Sequence, residues 1–207
     1  MSDEYFEQLQ VVLDQEEEAL VARFVATPRE ALEEMYAPEL GAPVDYWDVI
    51  ARGPFQQPAL APGRIIQVGE EAAIRVMVIL NPNFPAGQSA CDTITGFGAF
   101  IELNMFTANM QTMTPEPSLT ESVCIPTTLN QCRYRHTFRI RPQIAACLYE
   151  TNICARICNC NHQYVPQYSA FVRWVRNLDF DLIFGAPRRT FDHPIRYMVA
   201  DLKGKCC

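Results

Sequence analysis

Two stretches of this chain place reactive or charged side chains at spacings that could do chemistry. The first is Cys154-Ala155-Arg156-Ile157-Cys158-Asn159-Cys160-Asn161-His162. On a β-strand successive side chains point to opposite faces, so Cys154, Cys158, Cys160 and His162 share one face. Three thiolates and an imidazole are a familiar tetrahedral zinc set, and zinc is the one cofactor the sequence suggests. The spacing differs from that of paired zinc knuckles, and a straight strand would hold the four groups too far apart. The set therefore needs a bend near Asn159 or Asn161. Two other readings compete with it: small buried thiols, or a disulfide to Cys132, Cys147 or Cys91.

The second stretch is Cys132-Arg133-Tyr134-Arg135-His136-Thr137-Phe138-Arg139-Ile140-Arg141, closed by Pro142. As a strand it turns Tyr134, His136, Phe138 and Ile140 one way and Arg133, Arg135, Arg139 and Arg141 the other. Same-face neighbours two residues apart stand roughly 6.5 to 7 Å apart, so the four guanidinium groups form a charged ribbon about 25 Å long. Like charges that close call for anions or solvent. Three readings follow: an anionic ligand such as an acidic glycan or a phosphate, an acidic segment of the same protein or a neighbouring subunit, or a plain solvated face. Nucleic acid is disfavoured, because the net charge is −7 and no aromatic side chains are interleaved on the arginine face to stack bases.

Catalytic signals are sparse. Of the three histidines, His136 shares the apolar face of the arginine strand and reads as a core residue, while His193 follows Asp192 in a loop context. The chain has no glycine-rich phosphate loop, nucleophile elbow or paired-His metalloprotease motif. The acidic run Glu16 to Glu18 reads as a solvated helix face. The C-terminal Lys203-Gly204-Lys205-Cys206-Cys207 resembles the doubly prenylated tails of Rab-type GTPases over five residues; exposed terminal cysteines can also bridge subunits.

The elements that must position these groups differ along the chain. Residues 1 to 55 hold thirteen acids against three arginines, a net of −10, whereas residues 56 to 207 carry +3. The periodicity predicts a helix over residues 3 to 26, with Phe6, Leu9, Val12 or Leu13, Leu20 and Phe24 along one stripe. Thr27-Pro28-Arg29-Glu30 starts a second helix with a capping box, and Asp45 to Ala51 adds a short third. Past Pro54, Pro58 and Pro62 the period changes to two. Strands are predicted at Arg64 to Val68, Ala72 to Asn81, Phe97 to Thr107, around Val123, and at Cys132 to Arg141. More follow at Ile144 to Tyr149, Ile153 to Cys160, Tyr168 to Val175, Leu178 to Phe184 and Arg196 to Leu202. Residues 82 to 96 read as a turn-rich loop.

The expected architecture is mainly β with an N-terminal α-helical arm: residues 1–55 as an acidic arm and 56–207 as an antiparallel β-sandwich or jelly-roll of roughly seven to nine strands. No apolar run reaches the roughly 18 residues of a membrane-spanning helix. The acidic start, Met1-Ser2-Asp3-Glu4, lacks the features of a secretory signal, so a cytoplasmic place or one within a larger assembly is expected. The leading functional reading is a non-catalytic protein acting by self-association, as a homo-oligomer, or by binding a protein partner. The alternatives are an anion-binding module built on Arg133, Arg135, Arg139 and Arg141, and a zinc- or thiol-dependent enzyme built on the cysteine cluster.

Overall fold

A computed structural model describes residues 1–26, 47–80, 90–96, 98–144, 146–159, 164–171, 173–174 and 194–201. It is a β-sandwich with a helix laid on one outer face. The N-terminal helix α1 spans Asp3–Ala26. Its start is capped: the Ser2 hydroxyl accepts the Tyr5 N–H at 3.3 Å, and Asp3 and Glu4 in the first turn suit the positive end of the helix dipole.

The four-stranded sheet has the order β10-β1-β3-β7, made from β1 (Trp47–Gln56), β3 (Ala72–Leu80), β7 (Arg133–Ile140) and the two-residue β10 (Arg173–Trp174). The second sheet runs β2-β11-β8-β4, from β2 (Ile65–Gln67), β11 (Ile195–Ala200), β8 (Ala146–Cys158) and β4 (Phe100–Asn109). The two-residue β5 (Thr114–Pro115) and β6 (Glu121–Pro126) share the far side of β4, and β9 (Tyr164–Phe171) extends the row of β11 along β8. Among the described residues pairing is antiparallel except for β1 with β10 and β2 with β11.

Period-two alternation builds the core between the sheets. Ile74, Val76 and Val78 of β3, with Tyr134, Phe138 and Ile140 of β7, meet Ile101, Leu103 and Met105 of β4, Ile153, Ala155 and Ile157 of β8, and Tyr197 of β11. All nine residues of β3 are buried, because its second face lies under α1. There Tyr5, Leu9 and Leu13 pack with Phe55 and Ala73 in a separate, smaller apolar cluster. Fully burying three such side chains contributes on the order of 5 to 8 kcal/mol before the entropy of ordering the helix is set against it.

The fold class and the N-terminal helix agree with expectation, and several details differ. The helix expected at Asp45 to Ala51 is instead β1, whose Trp47 to Arg52 pair residue by residue with Leu80 to Arg75; cross-strand pairing overrides a weak local helix signal. The loop over residues 82 to 96 contains a seven-residue helix, α2 (Ala90–Gly96), anchored by buried Cys91 and Ile94. The strands expected at Ile144 to Tyr149 and Ile153 to Cys160 are one strand, β8, held through its middle by β4. The second helix from Thr27 and the strand at Leu178 to Phe184 fall outside the described residues.

Candidate functional site: the arginine face and its acidic helix

The outer face of the four-stranded sheet is built by register. Arg52 on β1 stands directly opposite Arg75 on β3, and Arg75 stands opposite Thr137 on β7, with Arg135 and Arg139 one pleat to either side. Directly opposed cross-strand residues have Cβ atoms about 4.5 to 5.5 Å apart, and like charges at that distance repel. The face therefore needs negative charge. Helix α1 supplies it, since Asp14, Glu17 and Glu18 are spaced i, i+3 and i+4 and share one helical side.

Buried Arg75 is fully engaged. Its Nε donates to Glu17 Oε1 at 2.9 Å, its Nη2 to Asp14 Oδ1 at 2.7 Å, and its Nη1 to Gln10 Oε1 at 2.8 Å and Thr137 Oγ1 at 3.0 Å. Glu17 is 2% exposed and also accepts Arg135 Nε at 2.7 Å, while Arg135 Nη1 lies 3.0 Å from Asp14. Arg133 Nη1 donates to Glu18 at 2.6 Å, and Arg52 pairs with Glu16. The Arg133 hydrogen bond and charge hold the exposed Glu18 carboxyl below its usual range. A void of about 10 Å³ lined by Leu13, Glu17, Ile50, Arg52, Arg75 and Met77 has room for about one water. This part of the face is closed.

The run Glu16 to Glu18 is thus only in part the solvated face expected: Glu18 is exposed, but Glu17 is buried and all three carboxylates pair with arginines of the sheet. Glu17 takes the fourth place in the stripe Tyr5, Leu9, Leu13, where an apolar residue would stand over two guanidinium groups. Phe6, expected in the buried stripe, instead lies under Arg139, whose guanidinium carbon sits 4.1 Å from the ring centre. Arg139 and Arg141 share one carboxylate, Glu71, at 3.5 and 3.9 Å. The four arginines named from sequence do lie on one face, but in two electrostatic settings. Sequence reading missed Arg52, Arg75 and Glu71. The available signal was Arg75, the lone charge in an apolar nine-residue strand, which needs a counter-charge wherever the strand is buried.

The cysteine cluster is only partly described. Cys154 and Cys158 are buried thiols on β8, opposite Asn104 and Phe100 of β4. Four residues apart on one strand, they are separated by about 13 Å, too far to share a metal without a bend. Cys160 and His162 lie outside the described residues, among which no group of three or more His, Cys, Asp or Glu side chains could hold a metal. Cys158 Sγ donates to Glu102 Oε2 at 3.7 Å, and burial, then the Glu102 charge, pushes its thiol pKa up, disfavouring the thiolate. The disulfide considered between this cluster and Cys91 or Cys132 is replaced by one joining Cys91 to Cys132, tying α2 to the start of β7. His136 does face the core, edge-on to Phe138 with ring centres 4.5 Å apart; its buried Nε2 has no hydrogen-bond partner among the described residues.

No protein-family model matches the sequence, and no curated protein matches it. Solved structures do resemble it at low identity. The CARDB domain of a Pyrococcus furiosus protein, solved with di-metal ions, is 15% identical with a TM-score of 0.30, over 66% of this chain and 94% of that one. The C-terminal domain of wzt is 9% identical with a TM-score of 0.41, over 87% and 99%. A β-glucosidase from Listeria innocua is matched over 73% of this chain but 21% of its own, at 11% identity and a TM-score of 0.28. Likeness at this level concerns the β architecture alone, and the chain is similar in architecture to these β-domains.

Proposed function

We propose that the protein is a non-catalytic β-sandwich that works by self-association, with α1 as the docking arm that one copy can exchange with another. The observation that carries this reading is the composition of the seam beneath α1. Among the described residues its apolar centre is formed by Tyr5, Leu9, Leu13, Phe55 and Ala73 with Met1 beside them, and next to it runs a row of ion pairs from Asp14 to Glu18 against Arg52, Arg75, Arg133 and Arg135. Such a seam has the make-up of an interface between folded units, more polar than a domain core. Charge complementarity between arm and face is also what selects one partner and rejects others. Twenty residues separate α1 from β1 along the chain. Exchange of an identical element between copies is a low-cost route to a symmetric dimer.

The test is the mass of the full chain in solution across a concentration series, beside a variant carrying Asp14→Arg and Glu18→Arg, both exposed enough for the sandwich core to be undisturbed. The expected result is an oligomer for the natural sequence and a shift toward monomer for the variant. A natural chain that stays monomeric throughout, with no change in the variant, rules the reading out. A truncation used for the same purpose should end at Ala26, because removing residues through 55 deletes β1 and half of the seam's floor.

A further inference from the structure

We infer that Arg139 and Arg141 form a binding site for a tetrahedral dianion, the phosphate or sulfate group of a small ligand. The site lies beyond the row of ion pairs, at the start of α1, where Phe6 packs under Arg139. At the Arg133 end of β7 each guanidinium meets carboxylates at charge-assisted hydrogen-bond distance, 2.6 Å for Arg133 with Glu18 and 2.7 Å for Arg135 with Glu17. At the Arg139 end two guanidinium groups stand against the carboxylate of Glu71, one on each oxygen, at 3.5 and 3.9 Å, with the Met1 ammonium 4.0 Å from the same group. Those contacts are longer than direct charge-assisted hydrogen bonds, so most of the ten N–H donors of the pair are left to solvent or to a ligand.

Three features make this pair a candidate site rather than a solvated edge. The two head groups converge, both lying within 4 Å of one carboxylate despite their like charge. Arg139 is held in place by Phe6, its guanidinium carbon 4.1 Å from the ring centre, a cation–π contact that uses up no hydrogen-bond acceptor. The side chains are 47% and 60% exposed, while Glu71 is 18% exposed, so the donors face outward and the carboxylate sits behind them. Two guanidinium charges and the Met1 ammonium against one carboxylate leave a net positive site. Glu71 repels any incoming anion, and only a group carrying two charges and several acceptor oxygens gains enough from two forks to compete with it. A lone carboxylate duplicates what Glu71 already provides.

The experiment uses the full chain. Arginine Nε–H resonances are followed by NMR during titration with inorganic phosphate, inorganic sulfate and acetate at constant ionic strength and neutral pH. Saturable shifts with phosphate and sulfate, and none with acetate, are expected. Arg141→Gln should weaken phosphate binding about fivefold, the worth of one exposed charge contact. Glu71→Gln should tighten it by a comparable factor, and Arg133→Gln should leave it unchanged. Thermal melts of each variant confirm that the fold is retained. The inference is overturned by non-saturating dianion shifts in the natural chain, by Arg141→Gln binding as well as the natural chain, or by equal loss in Arg133→Gln. Acetate saturating as phosphate does would overturn the dianion assignment.

Discussion

The two ends of β7 carry the same residue type at the same spacing and have opposite surroundings. Arg133 and Arg135 are met by Glu17, Glu18 and Asp14 of a helix packed across the sheet; Arg139 and Arg141 share Glu71, the residue just before β3. At the first end the carboxylates are fixed by burial of Leu9 and Leu13 on the same helix, so geometry is set by the apolar seam and the charges follow. At the second end the counter-charge comes from Glu71, next to β3 of the sheet itself, and the distances lengthen to 3.5 and 3.9 Å. Packing, rather than charge count, decides which arginines are structurally committed.

The comparison can be broken most severely at the seam. Leu9→Ala should destabilise the protein by about 2 to 5 kcal/mol, measured by chemical denaturation, because it empties a fully buried site between helix and sheet. A loss confined to a few tenths would mean that α1 is not held by its apolar stripe. Glu17→Gln comes next, at about 2 kcal/mol, since it leaves Arg75 buried with Asp14, Gln10 and Thr137 as its remaining partners. If Glu17→Gln were neutral, the closed end would be no different from the open one.

Acid should act on the sandwich beside the closed end. Burial, helped by the Arg75 charge and opposed by Glu121, lowers the pKa of His136 below 6.5. The folded protein therefore holds His136 neutral where the unfolded chain would protonate it. Stability from this group is complete above pH 6.5 and is lost as pH falls from there to the lowered folded value. Replacing His136 with Phe should flatten that part of a stability-versus-pH curve, and an unchanged curve would count against it. Glu18, whose pKa is lowered, works in the carboxylate range: its contribution is present above its ordinary value and disappears as pH falls through the depressed one. The smallest effect is expected at the open end. Arg141→Gln should change stability by no more than about 0.5 kcal/mol, as for an exposed charge outside any packed contact.

Much of the fold is legible in the residues taken in order. The alternation from Cys132 to Arg141 assigns Tyr134, Phe138 and Ile140 to a core and the arginines to the other face, and the structure agrees at each of them. The switch from a period near 3.6 to a period of two falls past Pro54 in the sequence, too late to include β1, whose Trp47–Gln56 already belongs to the sandwich. The excess of acid near the N-terminus and of base after it indicates complementary parts. What was not legible is non-local. Nothing near Arg75 in sequence announces that Glu17, 58 residues earlier, will accept its Nε–H, or that Arg52 will stand beside it. The cysteines divide in the same way: two thiols on one face of β8 follow from spacing, while the bond from Cys91 to Cys132 needs α2 packed against the start of β7.

By itself the sequence determined which side chains share a face within each element, because that depends only on the geometry of a strand or helix. It also set the helix-then-sandwich order and the separation of charge. The tertiary structure alone decided which face meets which, since cross-strand register and helix docking are chosen by burial and hydrogen bonds between residues far apart in the chain. That choice turned one ribbon of four arginines into two neutralised under α1 and two left facing outward over Glu71.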